Sequence, residues 1–209
     1  MLEPIPDLVF DARAHRYSYK GEWLAHSISS VAQPLTPEEK ERIWAYKDGP
    51  DGWEIRGNTI HEALERHLLG KGVVAQDKWW EWLGPLLDDP LWQGCEILAV
   101  EHSVCSASKS LGGSFDALIR SDKGSTFLID LKTTDSANKA KKRKPATAQL
   151  GGYLACLIDH YPELTVDRCL TVVSAPGEVV IKTDMPDECL AAWSDAWTKH
   201  EAKQMLLGF

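Results

Sequence analysis

Two apolar runs, Gly113-Ser-Phe-Asp-Ala-Leu-Ile119 and Thr126-Phe-Leu-Ile-Asp-Leu-Lys132, stand either side of a short polar stretch from Arg120 to Ser125. Both runs read as β-strands. Gly124 suits the last position of a three-residue loop, Asp122-Lys123-Gly124, where a left-handed backbone is wanted. Pairing about Lys123 then sets Asp116 directly opposite Asp130. Opposed like charges destabilise a sheet, so a positive group is expected between them. Period-two alternation puts Lys132 on the face of Asp130 and turns Ile129 and Leu131 into a core. The same residues would also suit a solvated hairpin face carrying a surface ion pair.

Two carboxylates and a lysine on one face have a specific chemical use. Mg²⁺ takes oxygen ligands and keeps several waters, one of which can become a nucleophile. A nearby ammonium can orient or deprotonate that water and offset charge that develops on a phosphorane. Two helical segments carry matching side chains. His61 and Glu65 share a face at i, i+4 on a predicted helix over Asn58–Leu69, and so do Gln149 and Tyr153 on one over Ala146–Asp159. Taken singly, a structural histidine and ordinary polar residues on an amphipathic helix would account for both.

In chain order, Gly57…His61, Gly113-Ser-Phe-Asp116, Asp130-Leu-Lys132 and Gln149…Tyr153 resemble the RecB-like branch of the PD-(D/E)xK nucleases. That family shows a GxxxH helix, a GxxD strand, a D/E-x-K strand and a QxxxY helix. The resemblance covers about Gly57–Tyr153, and more loosely His15-Arg-Tyr17 and Ser27–Val31. It implies an α/β (α+β) fold with a central mixed β-sheet flanked by helices, the restriction-endonuclease-like core. It also implies a Mg²⁺- or Mn²⁺-dependent deoxyribonuclease, most simply an exonuclease acting on the ends of linear DNA. His61, Asp116, Asp130 and the carbonyl of Leu131 would be metal ligands, Lys132 catalytic, and Gln149 and Tyr153 would line the site. DNA, single-stranded or at duplex ends, would be the partner, together with a recombination, repair or replication protein. Some relatives hold an iron–sulfur cluster on four closely spaced C-terminal cysteines. The wide spacing of Cys156, Cys169 and Cys189 departs from that, so no cluster is expected. A catalytically silent nucleic-acid-binding module of this fold, or a structure-specific endonuclease, remains an alternative. The full set His61, Asp116, Asp130 and Lys132 speaks against the silent form. Glu101 and Glu65 are further acidic candidates for the metal site.

The rest of the chain supplies context. A hairpin is predicted over Arg16–His26 around Lys20-Gly21, and Thr36-Pro37-Glu38-Glu39 reads as a capped helix start. A Trp-rich helix follows over Gln76–Asp88. Strands are expected at Cys95–Val104, Val166–Ser174 and Val179–Thr183, and a closing helix over Asp187–Leu207. One domain over residues 1–209 fits this length, with 1–56 as an N-terminal hairpin and helix extension and 57–209 as the catalytic core. The five cysteines are odd in number and lack CxxC spacing. That argues against a disulfide framework or a structural zinc site, and for free thiols in the cytoplasm. No apolar run approaches a bilayer span, and Met1–Phe10 lacks the basic start and apolar core of a signal peptide. A net charge of −8 argues mildly against nucleic acid for the average surface. Against that average, Lys139, Lys141, Lys142, Arg143 and Lys144 form a basic run beside the proposed site. They are candidate phosphate contacts on what reads as a loop able to close over a strand. Trp79, Trp80 and Trp82 cannot all face one side of a helix, so at least one is expected to be exposed and open to base stacking, although core or subdomain packing is the commoner role. With the basic loop, an arch there would frame a passage for a free end.

Overall fold

The computed structural model describes residues 1–49 and 52–207. Three short strands, β1 (Leu8–Asp11), β2 (Arg16–Tyr19) and β3 (Glu22–Trp23), open the chain as a small antiparallel sheet. Lys20 and Gly21 both have positive φ, 51° and 84°, which is the tight turn that matches the twist of flanking strands. This hairpin ends at Trp23. His26–Ser27 leaves it as β4 and pairs in parallel with Leu111 and Gly112 of the main sheet. The N-terminal segment is thereby tied into the central fold, and Ile5, Leu24 and Ile28 are buried in the same core as Phe115 and Leu150.

The helix α1 (Ile28–Ala32) leads to α2 (Pro37–Trp44). The capping box expected at Thr36 and Glu39 is formed, with the Glu39 N–H donating to Thr36 Oγ1 at 3.2 Å and the Thr36 N–H to Glu39 Oε2 at 2.9 Å. None of the α2 residues is buried. Helix α3 (Trp53–Leu68) starts five residues before the expected Asn58. Its apolar face of Ile60, Ala63 and Leu64 packs on the sheet. Helix α4 (Trp80–Leu87) is entered through a 3-10 turn at Asp77–Trp79.

The main sheet then follows as β5 (Glu96–Ser106), β6 (Leu111–Arg120) and β7 (Thr126–Thr133). After α5 (Ala137–Lys142) and α6 (Thr147–His160) come β8 (Arg168–Ala175), β9 (Glu178–Asp184) and α7 (Pro186–Leu207). The strand order is β4-β6-β7-β8-β9, with β5 on the other edge of β6. The β4/β6 and β7/β8 pairs are parallel and the others antiparallel. The sheet is therefore mixed, with helices on both faces. Ile28, Phe115, Leu118, Leu128, Leu150 and Trp193 fill one face, beneath α1, α6 and α7. Ile60, Leu83, Ala117, Ile129, Leu131 and Val172 fill the other, beneath α3 and α4. Ile129 and Leu131 thus point into a core, as the alternation requires.

Two expectations are corrected. Trp79 is only 4% exposed, and Trp82 donates its indole N–H to the Thr134 carbonyl at 2.7 Å. Both are anchored on the sheet because α4 presents an apolar face with Leu83 and Leu86, so no arch stands there; Trp80 alone of the three is exposed. The basic stretch is also no loop over Ala137–Lys142. Ser136 caps a short helix there, and the fully buried Ala140 seats it against Val173 and Ala175.

The close approach of α6 to α7 is set by glycine. A Cβ on Gly151 would sit 1.9 Å from the Cys189 carbonyl oxygen. Helix propensity alone would favour Gly151→Ala. Overpacking a closed contact typically costs about 1–3 kcal/mol, so denaturant unfolding should show Gly151→Ala destabilised by that much. Gly72→Ala, with open space around the new methyl, should be near neutral.

Candidate active site

The site grows out of a fault in the sheet. The β6–β7 hairpin has the expected loop, with Gly124 at φ 84° and the Ser121 N–H donating to the Ser125 carbonyl at 2.8 Å. Pairing runs from Arg120–Thr126 to Ala117–Ile129 and stops one step before Asp116 and Asp130. In place of the next ladder bond, the Leu131 N–H donates to Asp116 Oδ2 at 2.5 Å. Side-chain alternation changes phase at the same point, since Phe115 belongs to one core and Ala117 to the other. On the opposite edge Glu101 has φ 45° and falls between the pairs Val100–Ala117 and His102–Phe115. Beyond the fault, the edge of β6 left by β7 is taken up by β4 only at Leu111 and Gly112. Asp116 lies in the fork between them.

Helix α3 brings His61 to this fork. Its Nδ1 is 2.6 Å from Asp116 Oδ1 and 3.8 Å from Glu101 Oε1. Ligand-type atoms of His61, Glu101 and Asp116 lie within 4.8 Å of one another. Asp130 is 1% exposed. Its Oδ1 accepts from Lys132 Nζ at 3.0 Å. Its Oδ2 lies 2.8 Å from the same nitrogen but off hydrogen-bond geometry, so this buried oxygen has no donor. From α6, Gln149 Nε2 donates to Tyr153 Oη at 2.7 Å. All but Glu101 of these residues line a cavity of about 220 Å³, with His15, Tyr17 and Ser114 on its far wall. Tyr17 Oη donates to Ser114 Oγ at 3.0 Å, and Ser114 Oγ is 2.8 Å from Ser103 Oγ.

The sequence-predicted set therefore divides. His61, Asp116, Asp130, Lys132, Gln149 and Tyr153 converge. Leu131 is buried between Asp130 and Lys132, and a β-residue sends its N–H and C=O toward the same neighbouring strand, here the Asp116 side. Glu101 joins the cluster, whereas Glu65 faces the wider groove outside it. Within the basic run, Lys139 pairs with Asp135 at 2.6 Å and Lys141 with Glu178 at 3.1 Å. Arg143 reaches the groove and feels the charge of Asp130. Lys142 and Lys144 are exposed. The sequence pointed to His15, Tyr17, Ser27 and Ser29 only through the looser part of the resemblance and gave them no site role, and Ser114 entered only inside the Gly113–Asp116 motif; all five line the cavity.

The charges are strongly coupled. Burial by itself would lower the His61 pKa, but the carboxylates of Asp116 and Glu101 override it and hold the imidazolium up to about 10. Burial works to raise Asp116, yet His61, Lys132 and the Leu131 N–H leave it below the usual carboxylate range. Asp130 and Glu101 are both pushed up, chiefly by burial, with Asp116 adding to the effect. Burial and the neighbouring carboxylates also push the Tyr153 phenol well up, so it stays a donor. Three carboxylates against one lysine and one imidazolium leave a negative excess in a place that disfavours charge. A divalent cation fits this set. With His61 neutral, it and Lys132 would balance Asp116, Asp130 and Glu101, and it would give Asp130 Oδ2 a partner. Carboxylate oxygens suit hard divalent ions, and an imidazole suits softer first-row ions.

No family model matches this chain, and no curated protein does. Among solved structures, the crystal structure of SSO0001 is similar at TM-score 0.45 and 17% identity, over 82% of this chain and 74% of that one. LHK-Exo, an alkaline exonuclease from Laribacter hongkongensis, is similar at TM-score 0.42 and 14% identity, over 87% and 90%.

The raised His61 pKa has a consequence for the metal-free protein. A base whose folded pKa exceeds its unfolded value adds stability that is complete below the unfolded pKa and lost as pH rises through the folded one. For His61 that window runs from 6.5 to about 10. Melting temperatures measured in chelator should fall across it, and His61→Gln should flatten the fall. An equally steep decline in the variant would show that the His61–Asp116 pair is not its source.

Proposed function

We propose that this chain is a divalent-metal-dependent deoxyribonuclease that hydrolyses phosphodiester bonds from the ends of linear DNA. The observation that carries the reading is the convergence, in one cavity, of His61, Asp116 and the donorless Asp130 Oδ2 beside Lys132, with Glu101 at its edge. A hydrophobic core has no use for such a set, and a surface ion pair would not leave Asp116 and Asp130 buried. The motif resemblance supports the same class.

His61, Asp116, Asp130 and Glu101 would hold the ion, with the Leu131 carbonyl as a further oxygen. Once bound, a divalent cation supplies Lewis-acid polarisation of the phosphate and a more acidic water. Lys132 is held by Asp130 at the mouth of the cavity. There its ammonium can orient the attacking water and offset the charge that builds on the phosphoryl oxygens. Tyr153 stays protonated and is fixed by Gln149, so its hydroxyl can donate to a substrate oxygen. Arg143, Lys142 and Lys144 are the basic residues best placed to contact phosphates, because Lys139 and Lys141 already have acidic partners. No helix among the described residues is long and apolar enough to cross a membrane, and the sequence carries no recognition-helix or finger motif, which leaves shape as the source of selectivity. A strand end is the simplest shape to recognise, and a recombination or replication protein is the kind of partner that would supply one.

Lys132→Ala should abolish cleavage while metal binding is largely kept, whereas Asp116→Asn and Asp130→Asn should weaken metal binding itself. Calorimetry with Mn²⁺ alongside a cleavage assay separates the two, and Lys132→Ala activity within tenfold of wild type would remove the proposed role. Mn²⁺ should activate at least as well as Mg²⁺, and cleavage in chelator would reject the metal mechanism. Linear DNA should be degraded while covalently closed circles, single- or double-stranded, are largely spared. Comparable cutting of circles would make the protein an endonuclease instead.

A further inference from the structure

The N-terminal hairpin contributes a wall to the site that the proposed chemistry does not use. Phe10 on β1 and Tyr17 on β2 are cross-strand partners, with ring centroids 4.8 Å apart. The His15 ring stands edge-on to Phe10 at 5.5 Å. His15 and Tyr17 line the cavity of the carboxylates, and Phe10 continues the wall into the broader groove. Phe10 nevertheless remains 40% exposed, an aromatic face left in water at the mouth of a polar site.

The wall is built rather than incidental. Asp11 Oδ1 accepts the N–H groups of Arg13 and Ala14, each at 2.8 Å, and so shapes the loop that ends in His15. His15 itself has φ 51° where the β1–β2 turn closes, a left-handed conformation that histidine takes more readily than most non-glycine residues and that fixes where its ring leaves the chain. Tyr17 is tied to Ser114, two residues before Asp116, so the rings keep a fixed place relative to the carboxylates. The groove also takes in Arg56, Lys132 and Arg143, with Glu54, Glu62 and Glu65 along α3. An aromatic wall and a cationic set therefore share one groove around the acidic cluster.

A single polynucleotide strand has the same two-sidedness, with π faces on one side and phosphates on the other, while a duplex hides its base faces in the stack. We propose that Phe10 and His15 form a stacking platform for the nucleobase next to the phosphate in the site, so that DNA is engaged as a single strand. This rests on the nuclease reading and adds its substrate form. Stacking on such a ring tolerates any base, because every base offers a π face.

The test compares affinities for a short oligothymidylate and for an abasic phosphodiester of equal length, with Ca²⁺ replacing Mg²⁺ to hold cleavage back. The wild-type protein should favour the base-bearing strand by roughly tenfold or more. Phe10→Ala and His15→Ala should each reduce that preference severalfold, and Phe10→Trp should keep it. Val9→Ala, at an exposed position outside the groove lining, should leave it unchanged. Matching melting temperatures would establish that the variants fold. Equal affinity for the two strands in the wild type, or a full preference in both alanine variants, would overturn the platform. If metal-dependent cleavage persists in that case, the nuclease reading stands without it. A base preference lost in the alanine variants, in a protein that cuts no DNA, would keep the platform and remove the nuclease reading.

Discussion

Asp116 holds together the parts on which everything else depends. Its carboxylate takes the Leu131 N–H that would otherwise belong to the ladder, and it pairs with His61 from α3. One side chain thus closes the sheet where the main chain has let go and docks a helix against it. Strand pairing normally satisfies backbone groups in full, so opening a ladder requires a substitute acceptor, and a carboxylate is the strongest acceptor a side chain offers. The substitution leaves an acid buried where two more acids already stand. The negative excess follows from that, and with it the fit to a divalent cation.

The surrounding structure makes this arrangement tolerable. Each face of the sheet carries its own apolar core, so β6 and β7 are held along most of their length whatever happens at the fork. Helix α3 is clamped by Ile60, Ala63 and Leu64, which flank His61 and limit where its ring can go. Helix α6 is locked against α7 through Gly151 and Gly152 and carries Gln149 and Tyr153 on a rigid support. Groups that must act together thereby sit on elements whose positions are fixed by packing far from the site.

Much of this was legible in the chain. The turn at Asp122-Lys123-Gly124 dictated the hairpin register because a left-handed glycine permits only a few loop lengths, and register then brings Asp116 level with Asp130. The apolar spacing of Ile60 and Leu64 marked the face of α3 and so the direction of His61. Other features were hidden for physical reasons. Glu101 could be named only as one candidate beside Glu65, because what sets it apart is a left-handed backbone where the β5–β6 and β6–β7 ladders are both interrupted. The basic run reads as a solvated loop, yet Ser136 and the burial of Ala140 make it helical and two of its lysines find acids nearby. For the tryptophans the sequence left core packing and base stacking both open, because the acceptor for Trp82, the Thr134 carbonyl, lies 52 positions away.

Alternation, capping and turn chemistry act over a few residues, so the sequence alone determined the types of the main-sheet strands and of the longer helices, the carboxylate hairpin and the helical pairs His61/Glu65 and Gln149/Tyr153. Which of those side chains meet is decided by long-range packing. Glu101 enters because β5 lies against β6 at the fault, whereas Glu65, one turn beyond His61 on α3, lines only the wider groove. The His15–Tyr17 wall reaches the cavity because β4 draws the N-terminal segment into the main sheet. Each of these outcomes depends on contacts between residues tens of positions apart, and no local pattern encodes them.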